Sequence, residues 1–143
     1  MTSQPGGDTG WDAALAHRPP ETRAAIRERL ESAGVAPEHL AAALRDGGDE
    51  IYAAATAPGR GDDWAKPFGG PLAVALIAAE VGALTAHLTS RASAVRAVAV
   101  EALLDDYSAV AVASRLGVSR QKVYDIARPG ATASYLDRAP WRS

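Results

Sequence analysis

A chain of 143 residues of which 48% are hydrophobic is long enough to bury one core, which argues against disorder throughout. It has no cysteine, which excludes disulfides and thiolate metal sites, and no secretory signal opens it, so we expect a cytoplasmic protein. The formal net charge of -2 argues against indiscriminate binding to nucleic acid.

The charges are unevenly distributed along the chain. Residues 1–90 carry 7 basic against 12 acidic side chains, whereas residues 91–128 carry 6 against 4 and residues 129–143 carry 2 against 1. A phosphate backbone would therefore meet the C-terminal end, with the acidic part held away from it.

The N-terminal part predicts a tail followed by helices. Residues 1–10 are rich in Gly, Ser, Thr and Pro, which is typical of a flexible tail. Residues 11–57 form a predicted N-terminal helical region, in which Trp11 anchors a short turn of helix that extends through His17.

Three further helices are predicted within this region. Residues 21–33 have apolar side chains at helical spacing, and Gly34 ends that helix. Pro37 suits the first position of a second helix, which ends at Gly47 and Gly48. Asp49 is placed to cap a third, short helix.

Helix breakers are dense in residues 58–70, which predicts a loop or linker. Its aromatic side chains, Trp64 and Phe68, either anchor this loop or line a pocket. Residues 60–62 spell the Arg-Gly-Asp adhesion tripeptide, but in a chain without a secretory signal we interpret them as part of the loop.

Residues 71–90 predict a long apolar helix for dimerisation or for the core. Glu80 and His87 interrupt its apolar run, so we expect it to insert poorly into a bilayer and predict no membrane partner. Leu72 and Leu76 make a second apolar face, which favours a homodimer; a core helix within one chain is the alternative. The main stripe consists of Val74, Ile77, Val81, Leu84 and Leu88.

No strand pattern of period two occurs along the sequence. We therefore predict an all-α protein, with an N-terminal helical region, a long apolar helix and a C-terminal unit of three helices. A C-terminal tail is expected for residues 129–143.

The segment from 108 to 127 predicts two short helices joined by a sharp corner. Ser108 is placed to cap the first helix, and Ala113 is small, as a close helix crossing requires. Gly117 can adopt the left-handed backbone conformation that ends this helix. Val118 fills the corner, and Ser119 can cap the second helix.

A third helix is expected before this pair, over residues 92–106. On the second helix of the pair, Val123 and Ile126 are three residues apart and face inward. The side chains that we expect to turn inward from the preceding helix are Val95, Val98, Ala102 and Leu103.

The stretch from 91 to 128 resembles the trihelical helix-turn-helix of bacterial transcriptional regulators, in the form A-x-x-x-G-V-S-x-x-x-V-x-x-I. Sigma-factor, recombinase and transposase modules share this form, so the resemblance implies DNA binding more firmly than it implies regulation. A helical hairpin with a coincidental Gly-Val-Ser corner is the alternative. The matching residues are Ala113, Gly117, Val118, Ser119, Val123 and Ile126.

A helical wheel places polar side chains opposite the buried side of the second helix. Gln121 has the donor and acceptor needed for adenine, and Arg120 can reach guanine or phosphate. Asp125 accepts a hydrogen bond from cytosine, orients a neighbouring arginine or tyrosine, or lies just off the surface. The residues predicted to bind DNA are Ser119, Arg120, Gln121, Lys122, Tyr124 and Arg128.

Nothing in the sequence predicts catalysis. The three histidines, His17, His39 and His87, lie in separate segments without metal-ligand spacing, and no phosphate loop or nucleophile motif occurs. We therefore expect no enzyme activity, no metal site and no cofactor.

The resulting hypothesis is a sequence-specific binder of double-stranded DNA, a small homodimeric bacterial transcriptional regulator. The first alternative is a DNA-recognition accessory protein of a recombination, transposition or plasmid-maintenance system. The second is a protein-interaction module, against which the polar residues of the second helix argue.

Overall fold

A computed structural model describes residues 5–128 together with residues 139 and 140. Over these residues the chain forms α-helices and no strand, so the predicted all-α class is confirmed. The helices are α1 (Pro5–Ala14), α2 (Arg23–Ser32), α3 (Pro37–Arg45), α4 (Asp49–Ala55), α5 (Pro71–Asp106), α6 (Ala109–Leu116) and α7 (Arg120–Ala127), with short 3-10 turns at Pro20–Thr22 and Lys66–Phe68.

The predicted N-terminal tail is too long. Residues 5–10 belong to α1, while residues 1–4 lie outside the described part of the chain. The buried Trp11 holds this helix, which ends at Ala14, before His17. Of the predicted C-terminal tail, 129–143, only Ala139 and Pro140 fall within the described residues, and both are buried.

The helices of the N-terminal region begin and end near the predicted glycine and proline residues, but the predicted cap of α4 is wrong. Gly34, at φ 80°, follows α2, and Pro37 opens α3 as predicted. Asp49 begins α4, but its side chain makes no cap. Instead, the Asp46 carboxylate accepts from the backbone N–H groups of Gly48 and Asp49, at 2.7 and 3.2 Å. Asp46 lies in the turn itself, where it reaches the free amides ahead of α4.

The first core lies where α1, α2 and α3 meet the first half of α5. Contacts of α1 with α3, and of α2 and α3 with α5, enclose it. Its buried members are Trp11, Ala14, Leu15, Ile26, Leu30, Val35, Leu40, Leu44, Ala73, Ile77 and Leu84. The apolar stripe proposed as a dimer seam thus packs on helices of the same chain, which favours the alternative of a core helix within one chain.

The predicted loop at 58–70 contains the short turn Lys66–Phe68. Trp64 and Phe68 are both half-buried, and the Arg60 guanidinium lies 5.1 Å from the centre of the Trp64 ring. Such a stacked cation holds the aromatic side chain in place, which agrees with an anchoring role.

The long apolar helix continues well beyond its predicted end. Residues 71–90 and 92–106 were expected to form two helices, but α5 is one helix of 36 residues. No glycine or proline stands near the expected break to interrupt it. By its length and apolar composition alone, α5 could cross a membrane. This is weak evidence for a membrane-spanning helix, because a buried core helix can have the same length and composition. The first half of α5 is such a core helix.

The second core lies between the last part of α5, α6 and α7. Its buried members are Val100, Val112, Ala113, Val123 and Ile126, with Leu103, Leu104, Val118 and Ala127 packed around them. The inward face predicted for this part of α5 is wrong except at Leu103. Val95, Val98 and Ala102 are exposed, because α6 and α7 pack on the opposite side of the helix, around Val100.

Candidate nucleic-acid interface

The first short helix of the C-terminal unit, α6, begins as the sequence predicts. The Ser108 hydroxyl accepts a hydrogen bond from the backbone N–H of Ala111 at 3.1 Å. This bond satisfies one of the free amides in the first turn. Ala113, on the same helix, is buried in the second core, where its small side chain permits close approach of α7.

The corner between α6 and α7 depends on a left-handed glycine. Gly117 has φ 68° and ψ 34°, and a Cβ built there would meet nothing within 4 Å. The requirement for glycine is therefore conformational and not steric. The N–H of Val118 donates to the Ala113 carbonyl at 3.0 Å, and the Val118 side chain packs on the second core. The chain leaves the corner in a fixed direction.

Helix α7 is fixed at its start and along one side. The Ser119 hydroxyl accepts from the backbone N–H of Lys122 at 3.1 Å, as predicted for its cap. Val123, which is fully buried, and Ile126 hold the other side of α7 against α5 and α6. The cap uses the Ser119 oxygen as an acceptor and leaves its hydroxyl hydrogen free to be donated to a phosphate oxygen.

The predicted DNA-binding side chains on α7 and at its end are exposed. Arg120, Gln121 and Lys122 occupy its first turn and are all exposed. Tyr124 follows one turn later, half of its surface in solvent, and Arg128 lies just beyond the helix end. Gln121, Tyr124 and Arg128 lie opposite the buried side of α7 and Arg120 and Lys122 flank them, and we call these five residues the α7 face.

Asp125 contacts two of its neighbours, as one of the three roles left open for it expects, and the choice among these roles stays a prediction. The Gln121 amide nitrogen donates to the Asp125 carboxylate at 3.3 Å, and Arg128 lies 3.8 Å from the same oxygen. All three side chains are largely in solvent, so these contacts are weak and can be exchanged for others.

The segment that forms α6 and α7 has a net positive charge. Residues 107–128 contain four basic side chains, at Arg115, Arg120, Lys122 and Arg128, against the single acidic Asp125. All five are exposed. The net charge of this segment thus has the opposite sign to that of the chain and suits an anionic partner, while Asp105 and Asp106 at the end of α5 add negative charge beside it.

No protein-family model, curated protein or solved structure matches this chain. Its function is therefore inferred from the residues and geometry of its own surfaces.

A buried ionic cluster in the N-terminal half was not predicted from the sequence. Glu80, on α5, is buried in the first core, where Arg18 donates to it twice, at 3.0 and 2.7 Å. His17 Nε2 lies 2.9 Å from Glu80 Oε1. Burial by itself would raise the pKa of Glu80, but the hydrogen bonds of His17 and Arg18 and the positive charge of Arg18 together lower it to about 2.

This cluster joins the end of α1 to α5 and lies on a different part of the fold from the α7 face. The one signal for it in the sequence was the acidic Glu80 inside an otherwise apolar run. Among residues 5–128, no group of three or more His, Asp or Glu side chains is arranged to hold a metal ion. We interpret the cluster as a structural link.

Proposed function

We propose that this protein binds double-stranded DNA by placing α7 in the major groove. The observation that carries this proposal is that Gln121, in the first turn of α7, lies opposite the buried side of the helix, with Arg120 and Lys122 exposed on either side of it. A recognition helix needs this arrangement, because its N-terminal residues approach the base edges while its other side holds the supporting helices.

The side chains of the α7 face suit the groove in distinct ways. Gln121 can form a paired contact with adenine once its amide leaves Asp125, and Arg120 can do the same with guanine. Lys122 and Arg128 carry positive charge on either side and suit phosphate oxygens. The face therefore combines groups that read bases with groups that hold the backbone.

The distribution of charge supports an oriented approach to DNA. The acidic side chains are concentrated in residues 1–90, while the C-terminal unit has a basic surface. A phosphate backbone is attracted to the basic C-terminal unit and repelled by the acidic residues 1–90, so DNA meets α7 first. Binding of this kind weakens steeply as salt increases.

Reading a defined base sequence is the task of a transcriptional regulator, and we propose that role. Two sources of DNA test this role: a pool of random duplexes and a fragmented genome. The full-length protein captures duplexes from each source, and the captured DNA is sequenced. Enrichment of one motif at promoters supports regulation. Enrichment at plasmid or mobile-element ends instead favours the role of an accessory protein in recombination, transposition or plasmid maintenance. No enrichment contradicts sequence-specific binding and favours a protein partner.

Two variants test the assignment of the face itself. Arg120→Ala and Gln121→Ala should each weaken binding of the selected duplex, by fluorescence anisotropy, by roughly 5- to 150-fold. Both side chains are exposed, so circular dichroism and thermal stability should not change. Arg45→Ala is the matched control, because Arg45 is an exposed arginine on α3. Wild-type affinity in both α7 variants would overturn the assignment.

A further inference from the structure

The two halves of α5 bury opposite sides of the same helix. In the first half the buried residues include Ala73, Ile77, Glu80, Leu84 and His87. About 18 residues make five full turns, so the same side of the helix continues through Arg91, Val95, Val98, Ala102 and Asp105. We call these last five residues the 91–105 face.

The 91–105 face has no cover from the described part of the chain. Val95 and Val98 are 69% and 67% exposed, and Ala102 is exposed as well. The helices α1 to α3 cover only the preceding stretch of this side, and α6 and α7 pack around Val100 on the opposite side. An apolar strip of Val95, Val98 and Ala102, about 10 Å long, therefore lies open between Arg91 and Asp105.

The charges around this strip are self-complementary. Arg91 stands on the N-terminal side of Val98, and Asp105 stands on its C-terminal side. Arg91 and Asp105 are equally distant from Val98, about 10 Å along the helix in opposite directions. A second α5 that crosses Val98 in the antiparallel direction places Arg91 of each copy beside Asp105 of the other.

We infer that the 91–105 face is the interface at which a second copy of this chain binds, antiparallel and with a two-fold axis near Val98. A parallel copy would bring Arg91 against Arg91, which is repulsive. In the antiparallel pair, Arg91 and Asp105 of each copy each have a partner of opposite charge, and the valines between them are covered.

The shape of the molecule fits this pairing. The helices α1 to α3 project from the same side of α5 as the 91–105 face and form a step at its N-terminal end. In the antiparallel pair, the end of the partner helix at residue 106 meets this step, and each copy receives the other in the same way. The α7 face stays uncovered, since α6 and α7 pack on the opposite side of α5.

A lipid surface is the other occupant that an apolar strip suggests. Arg91 and Asp105, which flank the valines, disfavour it, because charges are costly within hydrocarbon. The second copy keeps these charges in pairs at the rim of the contact, where solvent still reaches them.

Sedimentation equilibrium of the full-length protein tests the inference. The wild type should be a dimer at micromolar concentration, and Val98→Glu should weaken self-association by about 100-fold or more, because two glutamates then face each other on the axis. Val110→Glu is the matched control, since Val110 is a 63% exposed valine on α6, away from the face. It should remain dimeric.

A charge exchange tests the direction of the pairing. Arg91→Glu should weaken the dimer, and the double variant Arg91→Glu with Asp105→Arg should restore it. Helicity by circular dichroism should be unchanged in every variant. A monomeric wild type, equal effects of Val98→Glu and Val110→Glu, or pelleting of the wild type with anionic vesicles would each overturn the inference. None of these results depends on DNA, so they separate failure of the dimer from failure of the proposed function.

Discussion

Arg18 and Glu80 form a two-pronged ion pair across the first core, with the Arg18 Nη2 to Glu80 Oε2 distance at 2.7 Å. The two residues are 62 positions apart in sequence and join the turn after α1 to the first half of α5. The carboxylate is buried, whereas the guanidinium keeps 30% of its side-chain surface in solvent. This difference predicts that removing Arg18 and removing Glu80 lower the free energy of unfolding by unequal amounts.

Replacing Arg18 should cost more stability than replacing Glu80. Arg18→Leu leaves a buried carboxylate with His17 as its remaining partner, and we expect a loss of about 3–5 kcal/mol. Glu80→Gln leaves a guanidinium that water can reach, and we expect about 1.5–3 kcal/mol. Urea unfolding at neutral pH measures both. The opposite order would contradict the view that desolvation of Glu80 dominates.

The same pair predicts a pH dependence of stability. The pKa of Glu80 falls from 4.5 to about 2 in the folded chain, so its contribution is complete above about pH 4.5 and is lost as the pH falls toward 2. Between about pH 5 and pH 2.5, the wild type should therefore lose more unfolding free energy than Glu80→Gln. Glu28→Gln, at an exposed site on α2, should keep the wild-type slope. If the free energy of unfolding fell with pH in the same way for the wild type and for Glu80→Gln, the assigned pKa of Glu80 would be ruled out.

The corner between α6 and α7 should depend on backbone conformation alone. Gly117→Val should destabilise the fold by about 1–3 kcal/mol, because a β-branched residue is strained at positive φ. Gly117→Asn should cost less, since asparagine tolerates this conformation. Gly61→Val serves as the control, as Gly61 has open space around it without a positive φ. Equal unfolding midpoints for Gly117→Val and Gly117→Asn would show that strain is not the cause.

Asp125 should limit binding to non-cognate DNA. Asp125→Ala removes the one acidic side chain of residues 107–128 and frees Gln121 and Arg128. Anisotropy titrations on an unselected duplex should then show tighter binding and a steeper dependence on salt, with less preference for the selected duplex. Asp12→Ala, on the exposed side of α1, should change neither. Unchanged discrimination in Asp125→Ala would assign Asp125 no role at the interface.

The parts of the fold that the sequence predicted correctly are those set by local chemistry. Ser108, Gly117 and Ser119 act on amides and dihedral angles within three residues of themselves, so their roles follow from residue type. Pro37 at the start of α3 is a further case.

The errors concern choices that only tertiary packing makes. The second half of α5 has valine or alanine on nearly every side, so nothing local distinguishes Val98, which is exposed, from Val100, which is buried. The continuity of α5 through residue 90 was missed for a related reason, since the expected unit of three helices suggested a break that no glycine or proline supports. The contact of Arg18 with Glu80 spans too many residues for any spacing rule to show.

The central claim, that DNA meets the α7 face, is tested most directly by an NMR titration of the full-length protein, labelled with nitrogen-15, with the duplex that it selects. We expect the largest amide shifts at residues 119–128, where the recognition contacts form, and small shifts in α2 and α3. Shifts concentrated in α2 and α3, or no saturable shifts in α7, would contradict it.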